Sequence, residues 1–157
     1  MRANLYLGWF GFLKNTMEKF IFLEHTADAK FRAFGGNMEE AFSNAALAMF
    51  SIICSTAKVK AAEIKEFSVK GNDLKALLYN FLEELLFLFD SERFILHKVE
   101  KISIRAEDKT YFLNAKVAGD SEKEGYGIHG DIKAVTYNQM EIHEGKGKVI
   151  LQVVVDI

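Results

Sequence analysis

The sequence predicts a single α+β domain in two layers, a mainly antiparallel sheet packed against two main helices. Two long apolar stripes at helical spacing lie within the first 90 residues. Alternating strand patterns dominate the remainder, and glycine and asparagine supply the punctuation in a chain without proline. Helices segregated in this way from sheet-forming stretches favour an α+β arrangement over a doubly wound one.

The elements follow in order. Phe20 to Leu23 reads as a strand. In the next, Phe31 and Ala33 share one face until Gly35-Gly36-Asn37 breaks the pattern. Asn37 with Glu40 three residues later is a capping-box arrangement. It opens a helix whose Met38, Ala41, Phe42, Ala45, Met49, Ile52 and Ile53 form one apolar stripe. Glu63 to Val69 can form a strand. A second helix opens after Gly71-Asn72-Asp73, and its wide stripe, including Leu77, Leu78, Phe81, Leu82, Leu85, Leu86 and Phe89, marks it as the central buried helix.

Period-two patterns then run over Val99 to Arg105 and through Tyr111, Leu113, Ala115 and Val117. The charged, glycine-containing run from Asp120 to Gly127 reads as a mobile surface loop. Strands are expected near Asp131 to Tyr137, Gln139 to His143 and Lys148 to Asp156, with Gly145-Lys146-Gly147 as the hairpin between the last two.

Composition narrows the function. At 157 residues, 50% hydrophobic with 14 Phe, the chain can bury a core without disulfides or a structural metal. A net charge of -2 provides no electrostatic footprint for strong direct binding to nucleic acid. The lone Cys54 lies in an apolar stretch and fits a small buried side chain in a reducing cytoplasm. The first 16 residues are too short to span a bilayer and lack a small-x-small cleavage site. They read as an N-terminal extension outside the fold, with translation starting at Met17 and the domain running from 17 to 157.

Chemistry concentrates in Glu24-His25-Thr26-Ala27-Asp28 and at the chain end, Asp156-Ile157. Asp28 begins a strand and shares a face with Lys30 and Arg32. Asp156 follows Val153-Val154-Val155 and falls on the face of Ile150, Gln152 and Val154. Together with a terminal oxygen of Ile157 the two aspartates could hold Ca²⁺ or Mg²⁺, which take hard oxygen ligands. The bland alternative is ordinary strand-end solvation.

An imidazole beside a hydroxyl is a common activating pair. However, strand neighbours point to opposite faces, so His25 and Thr26 are better read as a turn or cap. Glu24 fits a salt-bridge partner equally well. Lys133, in Ile132-Lys133-Ala134-Val135-Thr136-Tyr137, either pairs with the carboxylates or guards an edge strand. His97, His129 and His143 show no zinc spacing, and phosphate-loop, dinucleotide and nucleophile-elbow motifs are absent.

Phe22-Leu23-Glu24-His25-Thr26-Ala27-Asp28, Glu40-Ala41-Phe42, Asn44-Ala45-Ala46, Asp73-Leu74, Leu77-Leu78, Phe81-Leu82-Glu83-Glu84-Leu85-Leu86, Ile132 to Tyr137 and Val155-Asp156-Ile157 occur in that order. Together they resemble the archease family from about Met17 to the last residue. The resemblance implies a non-catalytic protein cofactor of the GTP-dependent tRNA-splicing RNA ligase, promoting its guanylylation and repeated turnover. It places the family's metal site on Asp28, Asp156 and Ile157, with Ca²⁺ as the expected occupant, and the functional lysine on Lys133. The rival classes are a general chaperone or interaction scaffold and a metal-dependent phosphoester hydrolase using Asp28, Asp156 and His25.

Overall fold

A computed structural model describes residues 18–121 and 125–157. The expected N-terminal extension and start at Met17 lie outside the described residues. The elements are β1 (Phe20–Leu23), β2 (Ala29–Gly35), α1 (Met38–Ser51), a 3-10 turn (Thr56–Lys58), β3 (Glu63–Gly71), α2 (Leu74–Glu92), β4 (Phe94–Glu107), β5 (Thr110–Ser121), β6 (Ala134–Gly145) and β7 (Lys148–Asp156).

Both helices start from the same corner. β2 ends at Gly35 and β3 at Gly71, and two residues later Asn37 or Asp73 caps the helix by accepting from Glu40 N at 2.8 Å or Ala76 N at 2.7 Å. Each cap satisfies a donor that the first helical turn would leave bare, a contribution of about 1 kcal/mol. Glycine is required at both corners because the helix folds back against the strand end. A Cβ on Gly35 would lie 2.4 Å from Ala41 N, and one on Gly71 2.5 Å from Leu77 N.

The α+β expectation holds, and the sheet is divided in two. One sheet has the order β1-β2-β7-β6 and the other β3-β5-β4, all neighbours antiparallel. The helices hold them together. α1 packs on β2, β7 and β4, whereas α2 packs on β3, β5 and β6, so each helix touches both sheets. One main core results, in which Phe31, Phe42, Phe50, Phe81, Phe89, Phe94, Leu151 and Val153 are buried, with Phe34 and Ile150 forming a small separate cluster.

Three expectations change. First, Asp131 to Tyr137 and Gln139 to His143 belong to one bulged strand, β6, which starts only at Ala134. Second, Asp120 is not in a loop: β5 continues through Ser121, and Asp120 is 8% exposed. Its carboxylate accepts from Ser121 N at 2.9 Å and from the Tyr126 hydroxyl at 2.5 Å, ties that local composition conceals. Third, the first helix ends at Ser51, so Ile52 and Ile53 lie beyond it. The hairpin at Lys146-Gly147 is as expected, with Gly145 paired to Lys148 and Gly147 at φ 65°.

Candidate functional site at one end of the four-stranded sheet

β7 lies between β2 and β6, and its residues Val149 to Val155 are buried on both faces. An ionised side chain fits such a strand only at its ends. The one polar interior residue, Gln152, is bonded through both amide atoms: Arg32 Nε donates to its Oε1 at 3.1 Å, and its Nε2 donates to Gln139 O at 2.9 Å. Lys148 and Asp156, the two end residues, are the positions where β7 carries a charge.

Ala29 pairs with Val155 across the sheet. Continuing that antiparallel register by one residue sets Asp28 across from Asp156, so the two carboxylates, 128 positions apart, arrive at the same sheet end. On the other side Ala134 pairs with Asp156, and Lys133 N donates to Asp156 O at 2.8 Å. The backbone register therefore sets Asp28, Asp156 and Lys133, with Ile157 next in the chain, at one end of the sheet. Asp28 precedes β2 by one residue and Lys133 precedes β6 by one, so both sit just outside the ladder. The Lys133 side chain is exposed.

His25 and Thr26 fall in the connection between β1 and β2 and not within a strand. The His25 side chain is 17% exposed, its Nδ1 is 3.9 Å from Asp28 Oδ2, and that buried nitrogen has no hydrogen-bond partner among the described residues. Leu23, Glu24, His25 and Thr26 line an open depression. Glu24 and Thr26 are exposed, and no ion pair of Glu24 is found among the described residues.

The donor chemistry fits a hard divalent cation: two aspartates and a terminal carboxylate supply only oxygen. Among the described residues, however, no three His, Cys, Asp or Glu side chains form a metal-holding group by themselves. A cation held here would need the terminal carboxylate as a third donor and further ligands from backbone, water or a partner. The orphaned His25 nitrogen beside Asp28 is a further polar group that this end of the sheet leaves unsatisfied.

Two neighbouring features carry no readable sequence signal. Glu83 accepts from Val135 N at 2.8 Å, so a carboxylate on α2 caps the outer edge of β6. Asn80, three residues earlier, donates to Lys70 O at 2.7 Å and does the same for β3. Asn80 and Glu83 share the helix with Lys75, Glu84 and Asp90, so their residue types do not set them apart. Tyr79 and Tyr137 stack with ring centroids 4.4 Å apart and planes 8° from parallel.

Comparison with known proteins agrees with the geometry. Residues 20–157 match the archease protein family. Protein archease of Methanosarcina mazei is 43% identical over 141 residues, covering 89% of this chain and 97% of that one. The protein archease of Pyrococcus abyssi is 39% identical over 143 residues, covering 90% of this chain and all of that one. Among solved structures, Methanobacterium thermoautotrophicum protein 1598 superposes with a TM-score of 0.78 at 38% identity, over 90% of this chain and all of that one. A Thermotoga maritima archease, described as a possible chaperone, shares the fold with a TM-score of 0.55 at 18% identity, over 86% and 94% of the two chains. This chain belongs to the archease family.

Proposed function

We propose that the chain is a cytoplasmic, non-catalytic activator of the GTP-dependent tRNA-splicing RNA ligase, promoting ligase guanylylation and multiple turnover through a cation-bearing acidic tip. The observation that supports this reading is the β2–β7 register: Ala29 pairs with Val155, and its continuation by one residue sets Asp28 across from Asp156. Family membership supports it, and no helix among the described residues is long and apolar enough to cross a membrane.

Asp28, Asp156 and the Ile157 carboxylate are the residues that would hold the ion, with Ca²⁺ the first candidate and Mg²⁺ the second. When bound, the ion supplies positive charge toward phosphate oxygens. The chain's own contribution is positional. The bond from Lys133 N to Asp156 O restrains the last strand residue, next to the terminal carboxylate. The chain's net charge of -2 gives no electrostatic footprint for an RNA backbone, and the carboxylates of this sheet end favour a basic enzyme mouth. The partner is therefore the enzyme, with Lys133 beside the tip as a further contact.

The chaperone reading draws on the description of the Thermotoga protein, and under it the aspartates are dispensable. The deciding experiment is a ligation and guanylylation time course with purified ligase, with and without this protein, in Ca²⁺ and in Mg²⁺. Faster guanylylation and more than one ligation per ligase are expected. Identical time courses would reject the activator role.

A further inference from the structure

The four-stranded sheet is irregular at one place. Thr136 pairs with Val154 and the next pair is Glu141 with Gln152, so Tyr137 to Met140 stand opposite Val153 alone. A bulge re-aims side chains away from the ladder. This one also holds Gln139 at φ 53°, left-handed backbone that a non-glycine residue rarely adopts. It is nonetheless firmly held. Lys30 Nζ donates to Gln139 Oε1 at 2.8 Å, Gln152 Nε2 donates to Gln139 O at 2.9 Å, and Met140 is 3% exposed. Backbone strain that is tied down in this way marks a segment kept for what it presents.

What it presents is Tyr137. One face of the ring lies on Tyr79, yet the residue remains 53% exposed, so the other face is open to a partner. One carboxylate acts on the ring. Asp73 acts electrostatically on Tyr137, adding to burial and Tyr79 in keeping the phenol protonated. Asp73 spends one oxygen, Oδ1, on the α2 cap and retains Oδ2.

We propose that the β6 bulge is a preformed docking point where the open face of Tyr137 stacks on an arginine of the partner protein, with Asp73 as its countercharge. This rests on the reading that the chain docks on another protein. A guanidinium is flat, stacks on aromatic faces and pairs with carboxylates, which matches the ring and the acid together. A nucleobase matches the ring alone, and its phosphate would approach Asp73 and the acidic sheet end. A ring already immobilised by a parallel neighbour loses little freedom on binding.

Two measurements test this. In calorimetric titration of the ligase, Tyr137→Phe should bind within about twofold of the parent, and Tyr137→Ser should bind roughly tenfold or more weakly. Asp73→Ser keeps the helix cap but removes the charge, and should weaken binding about threefold. Ca²⁺ affinity should be unchanged in all three, separating docking from the cation site. In the second measurement, NMR titration with a Gly-Arg-Gly peptide should move the Tyr137 ring resonances, whereas GMP should not. Full affinity in Tyr137→Ser, or movement by GMP alone, would overturn the proposal. If the parent protein failed to bind the ligase while the peptide still moved the ring, the activator reading would fall and the stacking site would stand.

Discussion

Replacing Glu83 with alanine should loosen the strand that carries Lys133 and Tyr137 while leaving the core intact. β6 is an edge strand, and Val135, 2% exposed, turns its N–H to the Glu83 carboxylate at 2.8 Å. Removing the acceptor leaves a buried donor bare. Hydrogen bonds to charged groups contribute about 1.5–3 kcal/mol, and an orphaned buried donor costs about the same. Alanine suits a helix well, which offsets a few tenths of a kcal/mol, so a net loss of about 2 kcal/mol is expected for Glu83→Ala. Glu83→Gln retains an acceptor and should lose less than about 1 kcal/mol. Urea unfolding gives the global change, and hydrogen exchange at the Val135 amide gives the local one. About 2 kcal/mol corresponds to roughly 30-fold more frequent opening at that amide. If Glu83→Ala unfolded at the parent midpoint with Val135 equally protected, the reasoning about the capped edge would be wrong.

Two other outcomes follow from the packing. Phe81, fully buried between Phe42 and Phe67, should cost about 3–5 kcal/mol when truncated to alanine, measured by denaturant midpoint. Tyr126 donates to Asp120, a bond that raises its pKa above the ordinary value, with desolvation as a second cause. Because the folded state holds this proton more tightly, its stabilisation is complete below the ordinary tyrosine pKa near 10 and is lost as pH rises through the raised folded value. Tyr126→Phe should abolish that alkaline dependence, which pH-dependent unfolding of the two proteins would reveal.

Sequence patterns resolved the elements wherever one local rule dominated. Asn37 and Asp73 announce the helices because a cap needs only three residues of context, and the stripe through Leu77, Phe81 and Leu85 needs only period. Long-range register is different. That Asp28 and Asp156 reach the same sheet end follows from how β2 pairs with β7, which no spacing encodes; from the residues alone a shared cation site stands beside ordinary strand-end solvation, and the resemblance to a family favours the site. β6 read as two strands because the bulge at Gln139 interrupts its alternation. Asp120 read as loop because its neighbours are charged, although Tyr126 and the end of β5 bury it. Glu83 lies in a run that reads as an ordinary helix surface, and its partner is a strand edge 52 residues away.

The most direct test of the acidic tip is ligase guanylylation under excess GTP with parent protein, Asp28→Ala or Asp156→Ala, each variant first shown to be folded by its unfolding midpoint. The expected result is that both variants lose the stimulation given by the parent, together with Ca²⁺ binding in calorimetry. Full stimulation by either variant would contradict the claim that the sheet end bearing Asp28, Asp156 and the terminal carboxylate is the working part of the molecule.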